Sequence, residues 1–148
     1  MQATQESSLL SFSSIRPITG WEKFLKEGKE YLRTAEAAYR RQKNIFTPEI
    51  LYNLITMAIE KFFMAALMRH GTMPYNHTMV DMVESMEETF PDAIQGIRDD
   101  LMKLDTYQDI CDPYDFTIIA PDREEIPSML DLAERMLDLL RDDLKISV

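Results

Sequence analysis

The sequence predicts an all-helical domain: an antiparallel, up-down four-helix bundle with one additional short helix and a long loop before the last helix. Three observations carry this reading. Apolar residues recur at the three-to-four-residue spacing of a helix through most of the chain. The strongest of these stretches open on residues that cap helices. The one β-branched apolar run, Phe116-Thr117-Ile118-Ile119, has no second run to pair with in a sheet. At 148 residues the chain fits one domain around one core. We divide it into an N-terminal arm, 1–18, and a single helical domain, 19–148.

The arm is polar and Ser-rich, with Leu9, Leu10, Phe12 and Ile15 as its candidate anchors. The first helix is expected from Thr19, which forms a capping box with Glu22. Its apolar stripe is Trp21, Phe24, Leu25, Gly28, Tyr31, Leu32, Ala35 and Ala38, and it fades near Gln42. The second helix is expected from Thr47 to His70. Thr47 is the N-cap, Pro48 occupies the first helical position, where no amide partner is needed, and Gly71 closes the helix. Thr78 and Asp81 cap a third helix with the stripe Met79, Met82, Val83 and Met86. Phe90-Pro91 breaks it, and a fresh helix follows from about Asp92 to Leu104, aligning Ile94, Ile97, Leu101 and Leu104. Asp105 to Pro121 reads as a non-helical stretch, with Phe116–Ile119 lying on the bundle as an extended plug. The last helix runs from about Asp122 to Leu144, opened by a second capping box of Asp122 and Glu125. It presents Met129, Leu130, Ala133, Met136, Leu137, Leu140 and Leu144 to the core.

The second helix is apolar on all sides. Leu51, Leu54, Ile55, Ala58, Phe62 and Ala65 share one face, and Tyr52, Ile59, Phe63 and Leu67 occupy the opposite one. A helix in a bundle of this size should keep a wet face, so something must cover the second. The arm, the Phe116–Ile119 run or a second copy of the chain are the candidates. A homodimer with Tyr52, Ile59, Phe63 and Leu67 at its interface is the expectation. The same segment resembles a membrane span by hydropathy. Glu60 and Lys61 at its centre, each costing roughly 2.5–3.5 kcal/mol in a bilayer, favour a buried helix instead.

Composition excludes several functions. Lys and Arg number 16 and Asp and Glu 26, a net charge of −10 that repels phosphate backbones. Only Arg33, Arg40, Arg41 and Lys43 form a basic cluster able to meet nucleic acid locally. The glycines are Gly20, Gly28, Gly71 and Gly96, and none falls in a phosphate-cradling loop. His70, His77 and Cys111 are the only nitrogen and sulfur ligand candidates, and their spacing matches no zinc pattern. No Glu-x-x-His pair suggests a di-iron bundle. No cofactor and no metal are therefore expected. The single cysteine and the lack of a basic, then apolar, leader make a cytoplasmic protein the expectation.

Two residues stand out inside the apolar second helix, Glu60 and Lys61, since buried charge requires a partner. His77 is the expected hydrogen-bond partner of Glu60. The Asp105–Pro121 stretch offers Tyr107, Asp109, Asp112, Tyr114 and Asp115. A ligand cleft where Glu60, His77, Tyr107, Asp112 and Tyr114 converge is the candidate site.

Ala58, Glu60, Lys61, Ala65, Ala66 and Leu67, followed by Gly71, Pro74 and His77, form an A-x-E-K run, a small-residue stretch and G-x-x-P-x-x-H. This pattern resembles the HEPN family of helical bundles. Glu30–Ala35 and Ala133-Glu134 are also similar, so the likeness spans roughly Trp21 to Leu144. The resemblance implies the bundle fold and dimerisation. HEPN ribonucleases carry an Arg a few residues before a His near the last helix. Here no histidine follows His77, and seven residues separate Arg69 from it. The family lysine ahead of the small-residue stretch is Met64. The resemblance thus points to a non-catalytic binding or interaction module, associated with nucleotides or partnered by a nucleotidyltransferase. The alternative is a divergent, toxin-type HEPN ribonuclease using His77 and Arg69.

Overall fold

The computed structural model describes residues 16–41, 45–107 and 121–146. The elements are α1 (Trp21–Arg41), α2 (Pro48–Arg69), α3 (Met79–Thr89), α4 (Arg98–Leu104) and α5 (Ile126–Asp142). Short 3-10 turns occupy Asp105–Tyr107 and Arg123–Glu125. Among the described residues the structure is all-helical, with no strand. The arm anchors, Lys43, Asp109, Cys111, Asp112, Tyr114, Asp115 and the Phe116–Ile119 run lie outside the described residues.

The caps of α2 and α3 follow the sequence. The Thr47 hydroxyl accepts the Ile50 amide at 3.4 Å, with Pro48 in the first helical position. At the other end the Gly71 amide donates to the Met68 carbonyl and the Thr72 amide to the Leu67 carbonyl, a Schellman closure. Gly71 adopts φ +80°, and a Cβ there would lie 2.8 Å from the Arg16 carbonyl oxygen. The strand of chain before α1 is strapped to this end by the Ile18 amide, 2.7 Å from the Met68 carbonyl. Thr78 caps α3 by accepting the Asp81 amide at 3.2 Å.

Three boundaries differ from expectation. α1 starts one residue later than the predicted Thr19–Glu22 box. Gly20, at φ +100°, takes the capping position, and its carbonyl accepts the Lys23 and Phe24 amides. The helix expected from Asp92 begins only at Arg98. Asp92 sits at φ +71°, and the amides of Ala93, Gln95 and Ile97 bond three residues back, so 90–97 is a chain of tight turns. Ile94, Ile97, Leu101 and Leu104 are nonetheless all buried. At α5 the Asp122 amide donates to Glu125 Oε2 at 2.9 Å, but this secures the 3-10 turn, and the α-helix opens at Ile126 with Pro127 in its first turn.

α1 and α2 run antiparallel, with Trp21 beside Arg69 and Gly28 beside Phe62. Their backbones approach closely because position 28 has no side chain: a Cβ there would stand 2.7 Å from Phe62 Cε1. α5 packs on both, α3 packs on α2, and α4 packs on α3 and reaches α2 through the Leu104 carbonyl. α2 is the central rod. Leu51, Ile55, Ala58, Phe62 and Ala65 are fully buried, and so are Ile59, Phe63 and Leu67 on the opposite face. Tyr52 is also buried, its hydroxyl donating to the Leu104 carbonyl at 2.6 Å. The interface expected at Tyr52, Ile59, Phe63 and Leu67 is therefore corrected. The chain itself covers these four residues, and a second copy cannot reach them. α2 is the one described helix long and apolar enough to cross a membrane, and 67% of that window is buried within the fold.

Overpacking at the α1–α2 crossing tests this arrangement. Gly28→Leu should cost about 1–3 kcal/mol, because the fully buried Phe62 ring has nowhere to move. Gly96→Ala, where a Cβ meets nothing within 4 Å, should leave the unfolding midpoint in denaturant almost unchanged.

Candidate functional site

The residues singled out from sequence fall in different places. His77 Nδ1 and Glu60 Oε1 are 2.8 Å apart, the pairing that the sequence suggested. It joins α2 to the turn before α3, and both side chains remain substantially exposed. Lys61 is also paired structurally. Its Nζ lies 2.9 Å from Glu27 Oε2 and 4.6 Å from the centre of the Phe24 ring, so it fastens α2 to α1. That contact holds the Glu27 carboxyl below its ordinary range. Arg69, named for the alternative ribonuclease reading, stacks its guanidinium over the Trp21 ring at 5.7 Å. His70 lies against the Phe90 ring at 4.7 Å. Among the described residues no group of three or more His, Cys, Asp or Glu side chains could hold a metal ion.

Tyr107 does not join Glu60 and His77. It lines a separate cleft of about 360 Å³ between α4 and α5, with Lys103, Glu125, Asp131 and Arg135 among its walls. Its hydroxyl donates to Glu125 Oε2 at 2.9 Å, and its ring meets Tyr52 edge-on at 5.3 Å. Burial and the Glu125 carboxylate raise the Tyr107 pKa. The proposed convergence of Glu60, His77 and Tyr107 is thus corrected. The bond to His77 and the cleft beside Tyr107 belong to different parts of the molecule, and Asp112 and Tyr114 lie outside the described residues.

A second groove was not anticipated. It runs between α1 and α5, encloses about 310 Å³ and is lined by Glu36, Tyr39, Arg40, Leu130, Asp131 and Glu134. Glu36 and Glu134 both line it, and hydrogen bonding of Glu134 with the Glu36 carboxyl, with burial adding to the effect, pushes Glu134 up to about 7. Two carboxyls that face each other in one groove cannot both ionise without repulsion. A signal existed in the sequence. Glu36 follows Ala35 and Glu134 follows Ala133, and both alanines are core positions. Each carboxyl is thereby set at the edge of its helix's buried face, where two helices meet.

No family profile, curated protein or solved structure matches the chain.

Two substitutions separate structural from peripheral contacts. Tyr52→Phe removes a buried hydrogen bond to the Leu104 carbonyl and should cost about 1–1.5 kcal/mol. His77→Ala removes a half-exposed pair and should cost less than about 1 kcal/mol. Chemical denaturation of the two variants checks the order; equal losses would contradict it.

Proposed function

We propose that this chain is a HEPN-like, non-catalytic interaction module, an up-down four-helix bundle that works as a homodimer. One observation carries the reading. Among the described residues, every exposed large apolar side chain lies on α2 or beside its ends: Ile45, Ile50, Met57, Met73 and Tyr75. Ile50 and Met57, with the half-buried Leu54, fall within about 60° of one another around α2. They form a narrow apolar strip on the side of the rod that the described residues leave open. It lies on the far side of the helix from Tyr52, Ile59, Phe63 and Leu67.

A second copy is the partner this strip suits. Past Met57 it reaches Glu60 towards one edge and Lys61 towards the other, tied to His77 and Glu27 respectively. A two-fold axis along the strip sets it against the same strip of its mate. The side chains that a ribonuclease reading would use are engaged elsewhere, His77 by Glu60 and Arg69 by Trp21. That supports the non-catalytic reading over the alternative. A nucleotidyltransferase-type chain is the further partner that the resemblance implies.

Light scattering tests the dimer. The wild type should show twice the chain mass of 17.3 kDa at high micromolar concentration. Ile50→Asp with Met57→Asp should give a folded monomer, while His77→Ala should remain dimeric. A monomeric wild type at that concentration, or a dimer that ignores the double substitution, overturns the proposal.

A further inference from the structure

The groove between α1 and α5 has consequences independent of the dimer. The charged and titratable groups around Glu134 are Glu36, Tyr39 and Arg40 from α1 and Asp131, Asp138 and Arg141 from α5. Neither arginine's hydrogen bonds reach the carboxyl pair. Arg40 Nε donates to the Glu36 backbone carbonyl at 3.4 Å. Arg141 is held by Asp138 Oδ1 at 2.7 Å and Asp142 Oδ1 at 3.1 Å. Asp138 adds like charge, and of these neighbours only Arg141 pulls Glu134 towards ionisation. What remains to stabilise two facing carboxyls is a proton between them.

We propose that α1 and α5 are fastened by one proton shared between Glu36 and Glu134, and that the seam is a pH-sensitive latch which loosens when both carboxyls are charged. The contact links the first helix to the last, so it joins elements that are distant in the chain. Release exposes the apolar wall of the groove, formed by Tyr39 and Leu130. The direction follows from proton linkage. The folded chain holds the Glu134 proton up to about pH 7, whereas an unfolded glutamate releases it near 4.5. Between those values the folded state binds more protons, so its stability falls as pH rises, and the contribution is lost above about pH 7.

Two measurements on the full chain test the latch. In the wild type, the Glu134 carboxyl carbon followed by NMR should titrate with a midpoint near neutrality. The thermal unfolding midpoint should fall between pH 5.5 and pH 8. In Glu134→Gln, whose amide can donate permanently to the Glu36 carboxylate, this fall should be markedly shallower. Hydrogen exchange at the amides around Glu36 and Glu134 should then lose its excess rise above neutral pH. A Glu134 midpoint in the ordinary carboxylate range, or the same pH slope in wild type and Glu134→Gln, overturns the proposal. The NMR titration needs no variant and decides the matter if Glu134→Gln does not fold.

Discussion

A helix that is apolar around most of its circumference must be wrapped, and the rest of this structure follows from wrapping α2. Phe62, Ala58 and Leu51 on one side and Ile59, Phe63 and Leu67 on the other are all removed from water. At about 25 cal/mol per Å² of apolar surface, side chains of this size each contribute about 1.5–3 kcal/mol on burial. No single neighbouring helix covers both faces. α1 and α5 take one part of the circumference, and α3 takes another, with α4 joined to α2 through Leu104. The close seat of α1 depends on the absence of a side chain at Gly28. The seat of α4 is pinned by the Tyr52 hydroxyl on the Leu104 carbonyl, which satisfies a buried polar group at each end.

The polar contacts divide according to whether they serve this wrapping. Lys61 and Glu60, the two charges in the apolar helix, emerge at its edges and bind groups on adjacent elements. They position α1 and the turn before α3 without entering the core. Arg69 caps the same crossing through the face of Trp21. Glu36 and Glu134 behave differently. They bring like charges together at a helix seam, an arrangement that destabilises the ionised form and so makes the contact responsive to protons.

Local signals were readable where local physics decides. Thr47-Pro48, Gly71 and Thr78 ended or opened helices as their chemistry requires, since a cap involves only residues within one turn. The Glu60–His77 pair was readable for a related reason. A carboxylate inside an apolar stretch needs a donor, and His77 follows shortly after the helix ends. The start of α4 was not readable, because the apolar spacing of Ile94, Ile97 and Leu101 suits stacked three-residue turns as well as a helix. Asp92 in the left-handed region decided between them. The site expected around Glu60, His77 and Tyr107 failed because nothing local fixes how a residue after α4 is placed relative to the end of α2.

The sequence alone determined that this chain is helical, where its longest helix begins and ends, and that this helix is buried on opposing faces. These properties depend on spacing and on neighbours along the chain. Only the tertiary structure decided which described residues cover α2, and with it which side they leave open. It alone brought Glu36 to Glu134 across ninety-eight positions of sequence. Amphipathic periodicity tells a residue whether to face inward, but it carries no information about which other helix it will meet there.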